Sequence, residues 1–255
     1  MTQASALDPR VAPMHTPVPG SRVAVLVLHG FTGSPASVRP WAEAFSERGY
    51  SVSMPLLPGH GTRWQDLQRH TFADWYATAE DAFLKLRAEH DQVFLAGLSM
   101  GGTLCLALAE EHGRDVAGLM VVNPAIDSRR KDIKLLPVLK HVVPAFPAIG
   151  NDIKKPGQDE VAYPRTPLKA AASMFASLPR LRERLGEVTQ PLLMFYAPDD
   201  HVLDSSSREA VLSRASSRDF EEVTLPESYH VATLDNDAPV IFERSLQFVE
   251  RLSEA

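Results

Sequence analysis

Residues 97–101 read Gly-Leu-Ser-Met-Gly, a serine with a glycine two positions away on either side. The apolar run "VFLAGL" leads in and "TLCLALA" leads out. A strand that becomes a helix through Gly-x-Ser-x-Gly forces the serine into a strained backbone conformation and lifts its hydroxyl above the sheet. Side chains two residues to either side would collide with neighbouring backbone, which accounts for Gly97 and Gly101. Ser99 then stands at a helix N-terminus, where free amides and the helix dipole favour negative charge. An attacking alkoxide and a tetrahedral oxyanion require that environment. "GLSMGG" has neither the Gly-Lys-Ser/Thr of a Walker loop nor Gly-x-Gly-x-x-Gly spacing, which discounts a phosphate loop.

A serine nucleophile needs a base, and the base needs an acid to orient it; on this kind of scaffold the chain order is serine, acid, histidine. His112, His141, His201 and His230 lie beyond Ser99. His112 ends the helix after Ser99, His141 falls in a proline-rich region and His201 directly follows the candidate acid. His230, in "ESYHVATLDN", follows the last expected strand and precedes the last expected helix, where the base belongs. "YAPDDHV" offers Asp199 and Asp200. The Asp-x-Val pattern selects Asp200, with Asp199 shaping the turn and Asp204 a third candidate. The oxyanion needs two backbone amides: Met100, after the nucleophile, and Phe31, in the loop "LHGFTGSP" where Gly30 permits a close turn. His29 and His60 have no partner at metal-ligand spacing and read as hydrogen-bonding groups that fix loops. The chemistry calls for no metal and no organic cofactor.

These groups need rigid supports. Apolar runs at 22–30, 50–55, 92–99, 117–123 and 190–198, with a shorter alternating one at 220–226, read as strands. Helical spacing covers 35–48, 72–90, 100–112 and 237–252. Strands alternating with helices make an α/β fold, with a mostly parallel central sheet covered on both faces. Residues 1–20, rich in Pro, Ala and Thr, read as a flexible N-terminal arm or a bent extended lead-in. Residues 126–170 combine prolines, a basic run and apolar stretches in a segment too long for an ordinary loop. They read as a small inserted cap or lid between core segments 21–125 and 171–255.

Composition narrows the class. The 255 residues carry a formal charge of −6, with 44% hydrophobic and 23% charged residues, ordinary for a globular domain and mildly unfavourable for nucleic acid or an anionic membrane surface. "SRRKDIK" at 128–134 reads as a solvated loop face. Cys105 is the single cysteine, so no intrachain disulfide exists, and its apolar helical setting reads as core. The N-terminus lacks a secretory apolar stretch and no run reaches membrane-span length, which makes the cytoplasm the expected location.

Together, "VLVLHGFTGSP", "LPGHGT", "GLSMGG", "APDDHVL" and "SYHVATLD" resemble the bacterial monoacylglycerol lipases and related small carboxylesterases of the α/β-hydrolase fold, from about residue 22 to 252. The resemblance implies Ser99 as nucleophile, Asp200 as acid, His230 as base, and Phe31 and Met100 as oxyanion donors. It also implies a hydrophobic cap over an acyl tunnel. "AIGNDIKKPGQDEVAYPRTP" resembles the cap segment that receives glycerol and places Ile149 and Glu160 there. The implied activity is hydrolysis of carboxylic esters, monoacylglycerols foremost, through an acyl-enzyme. The rivals are a carboxylesterase for short simple esters and a non-catalytic ligand receptor on the same scaffold. The implied partner is a small lipid ester, with transient contact between cap and lipid surface, in a monomer or homodimer.

Overall fold

The computed structural model describes residues 8–254. Its strands are β1 (Met14–Thr16), β2 (Val23–Leu28), β3 (Ser51–Met54), β4 (Gln92–Leu98), β5 (Gly118–Val122), β6 (Ala145–Pro147), β7 (Arg165–Pro167), β8 (Leu192–Tyr196) and β9 (Phe220–Thr224). Its helices are α1 (Arg39–Glu47), α2 (Trp64–Leu67), α3 (Phe72–Glu89), α4 (Met100–His112), α5 (Leu136–Leu139), α6 (Leu168–Arg184), α7 (Ser206–Arg214) and α8 (Ala238–Ser253). One sheet runs in the order β1-β3-β2-β4-β5-β8-β9, parallel throughout except for β1, which pairs antiparallel with β3. This is the α/β-hydrolase architecture that the sequence motifs imply.

The central strand β2 shows why the sheet reads as unbroken apolar runs. Every residue of "VAVLVL" is buried. Ala24, Leu26 and Leu28 pack into one cluster with α3, α4 and α6, while Val23, Val25 and Val27 pack into another with α1 and α8. A strand covered on both faces has no polar side to show. α3 begins with a reciprocal capping box, Thr71 with Asp74, which satisfies two otherwise orphaned amides. Trp41 in α1 donates its indole N–H to Ser245 Oγ in α8 at 3.1 Å, joining the two helices of the second layer.

The flexible-arm reading of residues 1–20 needs correction for the part that the structure describes; residues 1–7 lie outside the described residues. Pro9–Val11 form a 3-10 turn with Val11 buried, and β1 hydrogen-bonds along β3. A three-residue strand between Pro13 and Pro17 carries no periodicity to read. Between β5 and α6 lie α5 and a two-stranded ribbon, β6 with β7, around a small apolar cluster of Leu136, Leu168 and Ala172. α6 starts at Leu168, so the last residues of the 126–170 segment already form its first turn. Among the described residues no helix is long and apolar enough to cross a membrane.

Among the described residues several buried polar atoms lack a hydrogen bond, and Glu110 is the acid among them. Both carboxylate oxygens of Glu110 in α4 are buried without a hydrogen bond, and burial pushes its carboxyl up to about 8. A folded-state value above the unfolded one means that stability is lost as pH rises from about 4.5 to about 8, because the unfolded chain ionises first. Glu110→Gln copies the neutral form. We expect it to leave the melting temperature unchanged at pH 4.5 and to raise it at pH 8.5, by on the order of 3–6 °C. Scanning calorimetry across that range checks the sign, and a pH-independent difference refutes it.

Candidate active site

β4 ends at Leu98 and α4 begins at Met100, so Ser99 is the whole connection. Its φ of 56° and ψ of −117° lie outside the comfortable regions for an L-residue, the strain expected at such a bend. Three contacts hold it. Its amide donates to Val122 O at 2.9 Å, and its carbonyl accepts from the amides of Thr103 at 3.0 Å and Ala125 at 3.3 Å. The glycines follow from close approach. A Cβ on Gly97 would fall within 3.0 Å of Gly101 backbone, and one on Gly101 would do the same against the Leu28 carbonyl. Gly30 faces Ser99 itself, a Cβ there standing 3.3 Å from Ser99 Cβ.

Asp200 and His230, the expected acid and base, lie in contact. Asp200, in the loop after β8, places Oδ2 2.6 Å from His230 Nδ1. Its other oxygen accepts the amides of Val202 and Leu203 at 2.7 and 2.8 Å, which lock the carboxylate in place. Burial pushes His230 down, but the charge and hydrogen bond of Asp200, helped by Glu160 and Asp152, outweigh it and leave the imidazole above its ordinary value. Ser99 and His230 line one cavity of about 330 Å³. Among the described residues no hydrogen bond joins their side chains.

The competing candidates are either paired with other groups or exposed. His112 pairs with Glu80 at 2.9 Å, His141 is exposed and His201 pairs with Asp152 at 2.8 Å. Asp199 is exposed, and Asp204 accepts the amides of Arg129 and Ser206, both at 2.9 Å, tying the start of the cap to α7.

Phe31 lines the cavity and rests its ring on Trp75, 5.6 Å between centroids. Met100 is the first residue of α4, its side chain buried beneath the bend. Among the described residues neither amide finds a protein acceptor. Behind the Phe31 loop, His29 Nδ1 bonds Gly30 O at 3.0 Å and its Nε2 accepts the Leu57 amide at 3.2 Å. His60 packs edge-on against His29 at 4.8 Å. Burial lowers His29 to about 4, so it stays neutral and serves as a loop brace. Among the described residues no group of three or more His, Cys, Asp or Glu is arranged to hold a metal ion.

The cap contributes Ile149 and Glu160 to the same cavity. Ile149 is half exposed at its mouth, whereas Glu160 is buried. Glu160 Oε1 accepts the Asn151 amide at 2.8 Å, and its own amide donates to Asn151 Oδ1 at 2.9 Å. Burial pushes the Glu160 carboxyl up; the Asn151 hydrogen bond and nearby His230 act against that. Asn151 and Val161 both have positive φ, 53° and 55°. For a β-branched valine that is a genuine outlier, strain concentrated beside a buried carboxylate. Much of the remaining cavity wall is apolar, with Leu136, Leu139, Phe146, Met174 and Phe175, but Ser128, Arg130, Asp132 and Thr166 also line it.

Comparison with known proteins shows the family. The Hydrolase_4 family, described as "Serine aminopeptidase, S33", matches residues 19–237. The chain belongs to that family. This serine hydrolase is 40% identical over 233 residues to the thermostable monoacylglycerol lipase of Bacillus sp. (strain H-257), covering 89% of this chain and 90% of that protein. A solved structure from the metagenome-derived lipolytic enzymes LipS and LipT superposes on the hydrolase with a TM-score of 0.91 at 38% identity, over 95% of this chain and 98% of that one. The monoacylglycerol lipase of Paleococcus ferrophilus superposes at 0.75 with 17% identity, over 96% of this chain and 98% of that one, a likeness of fold.

Sequence reading missed Asn123 and Asp152. Asn123, with φ of 43° at the end of β5, donates its amide to His230 O and accepts from Ala197 N, both at 2.9 Å, so it ties the base loop to the acid strand. A lone Asn closing the apolar run "AGLMVVN" was its only signal. Asp152 gave none, because its partners lie far along the chain.

Proposed function

We propose that this serine hydrolase cleaves monoacylglycerols into glycerol and free fatty acid. The observation that carries the reading is the buried Glu160 carboxylate facing the same largely apolar cavity as Ser99 and His230. In that reading the acyl chain lies along the apolar wall and the ester carbonyl sits over Ser99. Ser99 Oγ attacks it as His230 Nε2 takes the hydroxyl proton, with Asp200 orienting and balancing the imidazolium. The amides of Phe31 and Met100 hold the oxyanion. Collapse of the intermediate expels glycerol, which leaves with the proton from His230. Water, deprotonated by His230, then attacks the acyl-enzyme and releases the fatty acid. Both free hydroxyls of a monoglyceride can donate to Glu160. A di- or triglyceride has lost one or both donors and leaves the carboxylate buried and unpaired, which disfavours it.

Turnover of monolaurin, dilaurin, methyl laurate and short p-nitrophenyl esters tests the assignment. The parent should prefer monolaurin over methyl laurate. Glu160→Ala should erase that preference by about 10- to 100-fold while turnover of the p-nitrophenyl esters persists. Equal kcat/KM on monolaurin and methyl laurate in the parent hands the function to the simple-ester reading. The cap adds a surface argument. Leu135, Val138 and Val142 are exposed at 56%, 70% and 74%, beside the exposed Lys131 and Lys134 on a chain of net charge −6. An apolar patch rimmed with lysine suits an anionic lipid surface. The protein should float with phosphatidylglycerol vesicles, and Val138→Asp with Val142→Asp should abolish flotation; no flotation of the parent refutes the contact.

A further inference from the structure

Asp152 belongs to the cap segment, yet its bonds go to the two catalytic loops. Its Oδ2 accepts the amides of both His201 and His230 at 3.1 Å, and its Oδ1 meets His201 Nδ1 at 2.8 Å. Its own carbonyl accepts the Val231 amide at 3.1 Å. His201 directly follows Asp200, so a single carboxylate oxygen bridges the loop of the acid and the loop of the base. The side chain is only 9% exposed and lines the cavity. Its neighbours reinforce the joint. Asn151 exchanges two hydrogen bonds with Glu160. Fully buried Asp235 accepts the cap amides of Lys154 and Lys155 at 2.6 and 2.8 Å, together with the Tyr229 amide at 2.9 Å. The segment from 151 to 155 is thus stitched to the histidine loop at both ends.

We propose that Asp152 is a positioning residue that sets the spacing between Asp200 and His230 and adds negative charge behind the imidazolium, making cap seating and triad alignment a single event. The proposal rests on the reading of His230 as the base. The groups facing His230 are Asp200 from the acid loop, Asp152 and Glu160 from the cap, and Ser99 from the bend. His201, paired with Asp152, is the neighbouring titratable group beyond them. Asparagine at 152 would keep an oxygen for the two amides and offer its NH2 to His201 Nδ1, so it removes charge while sparing geometry. Alanine removes both. Because the imidazole must be neutral to accept the Ser99 proton, losing a negative neighbour lowers its pKa and moves the acid limb of kcat/KM to lower pH.

Rate–pH profiles on a soluble p-nitrophenyl ester, with melting temperatures, test this in the full chain. Asp152→Asn should shift the acid limb down by about half a unit with a kcat loss of about 3- to 10-fold. Asp152→Ala should lower kcat by about 10- to 100-fold with KM within about twofold of the parent. A role in folding alone would lower the melting temperature and leave the limb in place. An unmoved acid limb in Asp152→Asn overturns the proposal, as does Asp152→Ala with parental kcat. If the alanine variant does not fold, the asparagine profile decides. A Ser99→Ala or His230→Ala control that keeps turning over ester would instead sink the underlying reading of the triad.

Discussion

Replacing Ser99 with alanine should leave a folded protein whose ester turnover is lower by on the order of 10⁴- to 10⁶-fold. Fold is spared because the bend is held by backbone: the Ser99 amide on Val122 and its carbonyl on Thr103 and Ala125 are untouched by loss of Oγ. Activity is not spared, because no other hydroxyl has the same surroundings. Among the described residues Thr32, Ser128 and Thr166 also line the cavity, but none stands at the head of a long helix. Melting curves should coincide, rapid labelling by a fluorophosphonate should vanish, and turnover should fall to the level supported by binding and the oxyanion amides alone. Turnover within about a hundredfold of the parent would place the nucleophile elsewhere, since losing the nucleophile of a triad costs far more than that.

The largest expected effect on stability is at Gly101. A methyl group there would overlap the Leu28 carbonyl, which belongs to the neighbouring strand β2 and cannot retreat without breaking the sheet. The obstacle is backbone, so no rotamer relieves it. Gly101→Ala should therefore yield insoluble protein or a melting temperature lower by about 10 °C or more, the tail of the mutational range. Gly113→Ala supplies the contrast. Gly113 has φ of 52° and ψ of −120°, but a methyl group there would meet nothing within 4 Å, so only backbone strain opposes it, about 1–3 kcal/mol. If both variants melt alike, close approach is not the reason for the glycine at 101.

Ser99 and Asp200 stand out in the sequence because each lies just beyond a strand whose apolar run is continuous, whereas His230 follows the short, alternating β9 and is picked out by its place before the last helix. Buried strands advertise themselves, and their ends are where side chains can converge. The same logic fails for elements without periodicity. β1 is three residues long, α7 is mostly polar, and α6 carries Pro179 inside it, so none gave a clean pattern. The groups that brace the site were harder still. Asp152 and Asp235 act through backbone amides remote in sequence, 78 residues away for the bond from His230 to Asp152. Hydrogen bonds to main chain leave no trace in the identity of the donor residue, so no spacing rule could have found them.

β1 and β9 have a further consequence. An open sheet ends in two rows of unsatisfied amides and carbonyls, templates for adding strands from other molecules. Here one rim is a three-residue strand fenced by Pro13 and Pro17, and the other carries Glu221 and Glu222, paired with Arg244 and Arg208. Proline withholds donors, and charge makes a flush neighbour costly to desolvate. Growth of the sheet from copy to copy is thereby discouraged on both flanks, and a fold rich in parallel, slow-forming strands gains protection against fibrous aggregation while it assembles.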